Sequence, residues 1–136
     1  MQRMERLATN IYKQQIRAFR GNEIANKLQK AYENEKEHAE TLANVIVKLN
    51  GTPSKIGILF SLAGAAVGMI TSCLDRIFLL RVDTWIEEKV VQDYTKFVNR
   101  FNYDKETMSL LSRIINDEKK HVETWNASIN AISKKN

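Results

Sequence analysis

The tightest constraint on the fold of this 136-residue chain comes from two short stretches, ENEKEHAE and INDEKKHVE, in which Glu35 stands three residues before His38 and Glu118 three before His121. Residues three apart share one face of an α-helix, so each pair can aim a carboxylate and an imidazole at a common point. These histidines are the only two in the chain. Each pair also interrupts an apolar stripe of helical period, with Ile24, Leu28, Ala31, Leu42 and Val45 around the first and Leu111, Ile114, Ile115 and Trp125 around the second. Polar groups placed there are costly unless something satisfies them. Four-helix bundles solve that problem with metal: two helices give Glu-x-x-His, two more give one Glu each, and the set holds two iron or manganese ions. The pattern therefore predicts an all-α bundle with two further carboxylates.

The rest of the composition agrees with that fold. One proline and five glycines leave few breaks, and nothing alternates in the manner of a strand. The length suits one domain over residues 1–136. The lone Cys73 excludes an internal disulfide, and with no basic-then-apolar leader the expected location is cytoplasmic, with peripheral attachment to the inner face of the cell membrane. Twenty-one basic against 16 acidic residues give +5, but Lys and Arg are dispersed and no nucleic-acid motif accompanies them, so no nucleic-acid partner is expected. A homo-oligomer is expected.

Five helices are predicted, over about 2–19, 22–49, 56–74, 77–101 and 105–132. The first carries Met4, Leu7, Ala8, Ile11, Gln15 and Ala18 as its stripe, and Gly21-Asn22 breaks it from the second. Gly51 is the expected C-cap of the second helix, ahead of Pro53, and Asp104 the expected N-cap of the last. A Ser-Lys-Lys-Asn tail is expected to fray. The stretch Ile56–Leu74 is free of charge over 19 residues, long enough to cross a bilayer. Its Gly57, Gly64 and Gly68, with Ser61, Thr71 and Ser72, favour instead a helix packed on protein or dipping into a membrane surface.

Two positions supply the missing carboxylates. Glu5 is the one acidic residue of the first helix, set among Met4, Ala8 and Ile11. On the fourth helix Glu87 and Glu88 point about 100° apart, and Glu87 shares its face with Val91 and Tyr94 whereas Glu88 sides with Gln92 and Lys96. The expected ligand set is therefore Glu5, Glu35, His38, Glu87, Glu118 and His121.

In this order and spacing the chain resembles the demethoxyubiquinone hydroxylase family, a ferritin-like di-iron group of ubiquinone biosynthesis. The family's first ligand helix reads close to GEYGANRIYAGQ, and ERLATNIYKQQ repeats its Glu, Ala, Ile, Tyr and Gln in register from Glu5. Glu35 follows after thirty residues, then Pro53 and the apolar LAGAAVGM, then Ile86-Glu87-Glu88 with Tyr94 seven residues beyond Glu87, and finally Glu118 to His121. The resemblance implies a ferritin-like four-helix bundle with an additional apolar helix between the second and third ligand helices. It implies two Fe ions, with Mn as the alternative, and O2 as co-substrate for a monooxygenase acting on a quinone-like lipid at a membrane surface met through Ile56–Leu74. In that reading Glu35 and Glu118 bridge the ions, Glu5 and Glu87 are terminal, and each histidine serves one ion. The chain departs from the family at Gln92 and Asp93, where histidines usually precede the tyrosine, and lacks the Arg-Val-Asp-His-Ala that precedes the first ligand.

Several residues carry two readings. Tyr12 and Tyr94, each two turns beyond a ligand, are candidate catalytic residues that border a pocket or relay an electron or proton; the other reading is a core tyrosine with a bonded hydroxyl. Asp83 and Asp117 are candidates for orienting the histidines, or ordinary exposed carboxylates. Trp85, Trp125 and Cys73 read as packing residues. The alternative functions are a soluble ferritin-like protein that oxidises or stores iron or reduces peroxide, and a scaffold without metal.

Overall fold

A computed structural model describes residues 1–53 and 57–134 of the chain. It is all-helical: α1 Gln2–Ala18, α2 Glu23–Lys48, α3 Gly57–Ser72, α4 Arg76–Arg100 and α5 Lys105–Ser133, with no strand among the described residues. The element order is the one expected for a ferritin-like chain, with the apolar α3 between the second and third ligand-bearing helices. Ser54, Ile56, Lys135 and Asn136, which the sequence places at the Pro53 turn, the start of the apolar helix and the tail, lie outside the described residues. The helices form two compact units, Met1–Asp75 with α1 to α3 and Arg76–Asn136 with α4 and α5.

In the first unit α1 packs on both α2 and α3. Gly21, at φ 82°, makes the turn into α2, and the Asn22 side chain caps that helix by accepting from the Ile24 amide at 3.2 Å. At its other end α2 closes differently from expectation. The left-handed residue is Asn50, at φ 56°, while Gly51 follows it and donates its amide to the Ile46 carbonyl at 2.8 Å. This is a Schellman closure with Asn in the strained place, available because Asn tolerates that conformation better than most side chains.

The α1–α3 seam is made by absent side chains. A Cβ on Gly64 would overlap the Leu7 carbonyl oxygen, and one on Gly68 would stand 2.6 Å from the Ile11 carbonyl oxygen. The seam ends in a buried hydrogen bond, Gln15 Nε2 donating to Thr71 Oγ1 at 3.0 Å. With its small residues turned to α1, α3 leaves Ile58, Leu59, Leu62, Met69 and Ile70 exposed. No helix of the described residues is long and apolar enough to cross a membrane.

In the second unit α4 and α5 pack as a pair, and Asp104 caps α5 as expected, accepting from the Thr107 amide at 2.9 Å. Around their turn Phe97, Phe101 and Tyr103 cluster in tilted and edge-on contacts, with ring centroids 5.2 to 6.3 Å apart. Burial pushes the Tyr103 hydroxyl pKa up. Two packing assignments are corrected: Trp125 is fully buried, but Trp85 is 59% exposed and Cys73 is exposed. Trp85 falls two residues before Glu87, nearly opposite it on the helix, and Cys73 lies beyond the last turn of α3.

Candidate metal centre

The buried face of α1 runs Gln2, Glu5, Ala8, Tyr12 and Gln15, and that of α2 runs Leu28, Ala31, Glu35, His38 and Leu42. Helical periodicity thus brings three potential ligands to one place inside the first unit. Glu5 Oε2 lies 3.8 Å from His38 Nδ1, both side chains 1% exposed, and donor atoms of Glu5, Glu35 and His38 fall within 4.8 Å of one another. The cluster is held by ordinary helix packing, with no loop contributing.

The second unit repeats the arrangement. On α4 the buried face is Leu80, Asp83, Thr84, Glu87, Val90 and Tyr94, and on α5 it includes Leu111, Ile114, Glu118 and Trp125. His121 Nδ1 lies 3.8 Å from Glu87 Oε1 and 3.2 Å from Glu118 Oε2, and the three residues again offer donors within 4.8 Å of one another. The repeat extends to chain spacing, 30 residues from Glu5 to Glu35 and 31 from Glu87 to Glu118, and to Tyr12 and Tyr94, each seven residues beyond the first Glu and fully buried. Each helix pair also has a shallow outer groove lined by the residues one, four and five places after its two glutamates. The units differ in access: the His121 side chain is 12% exposed against 1% for His38.

Each unit therefore holds a buried cluster of two carboxylates and one imidazole that fits a metal ion. Hard oxygen donors with one nitrogen suit iron or manganese better than soft metals. Two carboxylates balance the charge of one divalent cation, which makes a neutral assembly that can be buried.

All six residues expected from the sequence take part in these two clusters, and Tyr12 and Tyr94 lie buried two turns further along α1 and α4. The two aspartates separate. Asp83 is buried, whereas Asp117 is partly exposed and bridged to Lys120 at 2.8 Å. Sequence reasoning missed Gln2, which is buried one turn before Glu5; its spacing of three from Glu5 was the available signal.

Together the all-helical chain and its twin Glu plus Glu-x-x-His clusters are those of a ferritin-like helical bundle whose buried carboxylates and imidazoles could hold metal. Over residues 2–133 the chain matches the family of the ubiquinone biosynthesis protein COQ7, and it belongs to that family. Among its relatives is the NADPH-dependent 3-demethoxyubiquinone 3-hydroxylase, mitochondrial, of Caenorhabditis elegans, 25% identical over 122 residues. The match covers 86% of this chain and 65% of that relative, so the chain spans somewhat less than two thirds of the relative's length.

Proposed function

We propose that Glu5, Glu35, His38, Glu87, Glu118 and His121 together hold two iron ions within one ferritin-like domain, and that the protein hydroxylates a quinone-ring precursor in ubiquinone biosynthesis. The observation that carries this reading is the pair of buried, like-built clusters, which supply four carboxylates and two imidazoles in a chain of the COQ7 family. Manganese is the alternative occupant. When bound, the ions supply the redox chemistry that activates O2.

The reaction is a monooxygenation. A ring C–H bond becomes C–OH, the second oxygen atom leaves as water, and the two electrons and two protons required come from a reduced nicotinamide and solvent, the donor type named in the C. elegans relative. The chain's own part is positional. Glu35 with His38, and Glu118 with His121, are held one helical turn apart, so each pair keeps its spacing without rearrangement. The burial of Glu5, Glu35, His38, Glu87 and Glu118 keeps bulk water from the reacting groups. Tyr12 and Tyr94, buried two helical turns beyond Glu5 and Glu87, are the residues proposed to relay a proton or electron.

A lipid-borne quinol has to be met at a membrane surface, and α3 suits that contact. Its outward Ile58, Leu59, Leu62, Met69 and Ile70 are apolar and exposed. Cations of α1 flank it: Arg3 sits 5.7 Å over the Phe60 ring, and Arg6 lies against Gly57. Apolar side chains edged by arginines favour an anionic lipid surface.

The test is aerobic turnover of ferrous-loaded protein with NADPH and a short-tailed demethoxyquinone, together with iron analysis. Two irons per chain and a product heavier by one oxygen atom are expected. Iron oxidised and retained well beyond two per chain, with no hydroxylated product, would overturn the reading in favour of ferritin-like iron storage.

A further inference from the structure

Two glutamines lie on the buried face of α1, and their amide nitrogens differ in partners. Gln15 donates its Nε2 to Thr71 Oγ1 of α3 at 3.0 Å. Gln2 is only 5% exposed, yet among the described residues neither its amide nitrogen nor its amide oxygen has a hydrogen-bond partner. An amide removed from water without a partner destabilises the fold that buries it, so such a group calls for a function. Its place is specific. Gln2 precedes Glu5 by three residues, about 4.5 Å of helix rise, on the same face of α1. An ordinary first-turn glutamine of a helix points into solvent; this one is committed to the side of the metal cluster.

We infer that Gln2 is a substrate-binding residue whose carboxamide hydrogen-bonds an oxygen of the quinone ring. The inference rests on the quinone-hydroxylase reading above. A carboxamide carries a donor and an acceptor on one plane. Its N–H donates to the carbonyl of a quinone, and its C=O accepts from the hydroxyl of the corresponding quinol, so one side chain serves both redox forms without changing protonation. A carboxylate in the same place would oppose the quinone carbonyl and add charge to a neutral assembly. Gln2 would thereby fix which ring edge is presented to the cluster that contains Glu5.

The experiment uses the full chain loaded with manganese(II), with no NADPH present so that turnover does not occur, and a short-tailed 2-methoxy-1,4-benzoquinone as probe. Binding is followed by tryptophan fluorescence quenching, and metal content and thermal midpoint are measured on the same samples. For Gln2→Leu the expected result is about tenfold weaker quinone binding, the loss of one neutral hydrogen bond in a buried place, with manganese content unchanged. Its thermal midpoint should be equal to or above that of the parent, because a buried amide is replaced by an apolar side chain. Gln2→Met, close in volume, should behave alike and covers failure of the leucine variant to fold. Parent protein that binds the probe while both variants bind within twofold of it would overturn the role of Gln2 and leave the quinone reading standing. A parent that does not bind the probe removes that reading and the inference with it. Loss of manganese in both variants would show that Gln2 supports the metal cluster instead, and would equally overturn the assignment.

Discussion

Substituting Gly64 by alanine tests whether the backbone of α3 truly rests on that of α1. On propensity alone the change should stabilise, since alanine inside a helix is favoured over glycine by about 1 kcal/mol. The seam opposes it. The new Cβ would overlap the Leu7 carbonyl oxygen and crowd the Leu7 Cα at 3.0 Å, and backbone atoms of a packed helix cannot swing aside. Overpacking of this kind costs about 1–3 kcal/mol, and with an immovable neighbour the upper half of that range applies. The net is a loss of about 1–2 kcal/mol, or roughly 3–6 °C in thermal midpoint for a chain of this size. Gly57→Ala supplies the internal control. Its Cβ meets only the Arg6 side chain, 3.0 Å from a guanidinium nitrogen, and that flexible chain can yield. The variant should therefore melt within about 2 °C of the parent, a shift of under ~0.5 kcal/mol. Circular dichroism melts of the two variants decide the matter. A Gly64→Ala protein as stable as the parent, or less affected than Gly57→Ala, would refute the close approach.

Thr71→Val removes the acceptor of the buried Gln15 amide and should cost about 1–3 kcal/mol by denaturant titration, more than a surface threonine would. Leu62→Glu, on the exposed side of α3, should leave stability within about 0.5 kcal/mol and reduce co-sedimentation with anionic vesicles. Manganese(II) at about a hundredfold its Kd should raise unfolding stability by ~2.7 kcal/mol, and Glu35→Ala should abolish that gain. The Thr107 amide, with its side chain, holds the Asp104 carboxyl below its ordinary pKa. A carboxyl depressed in the folded state contributes above its unfolded pKa and ceases to as pH falls through the folded one. Protection of the Thr107 amide, the intrinsic exchange rate at a given pH relative to the observed one, should therefore fall on the acid side in the parent, and Asp104→Asn should remove that pH dependence of protection.

Much of the fold and nearly all of the clusters could be read from spacing alone, because both follow from helix geometry. Glu35 with His38 and Glu118 with His121 are i, i+3 pairs, and the choice of Glu87 over Glu88 needed only the angle between successive side chains. The misreadings share a different cause: they concern residues whose surroundings are set by neighbours distant in sequence. Cys73 looked like core because the stretch around it is apolar, but it falls just past the last turn of α3, beyond the glycine side that packs on α1. Trp85 was assigned to packing on its size, although its position two residues from Glu87 already placed it away from the buried face. At Asn50 and Gly51 either residue could take the left-handed place, and composition alone favoured the wrong one. Nothing in the sequence separated Asp83 from Asp117, since only packing shows which of two helix carboxylates is covered.

The duplicated helix pairs and the unduplicated α3 answer different physical demands. A buried triad of two carboxylates and an imidazole is unfavourable to fold around and becomes tolerable once a divalent cation balances it. The same solution, a Glu on one helix and Glu-x-x-His on the next, appears in both units, with a buried tyrosine at the same offset. On the reading proposed here, that repetition would supply the metal chemistry and says nothing of what is oxidised. Specificity has to come from what the two units do not share. The first has α3, pressed against α1 through Gly64 and Gly68 and apolar on its outer side, and a buried Gln2 beside Glu5; the second has Asp83 one turn before Glu87 and a more accessible histidine. On the reading proposed here, the elements unique to the first unit are those that meet a lipid substrate, with α3 facing the membrane and Gln2 the ring. Changes confined to α3 or Gln2 should then alter substrate use while leaving metal uptake intact, and changes to the repeated residues should abolish both.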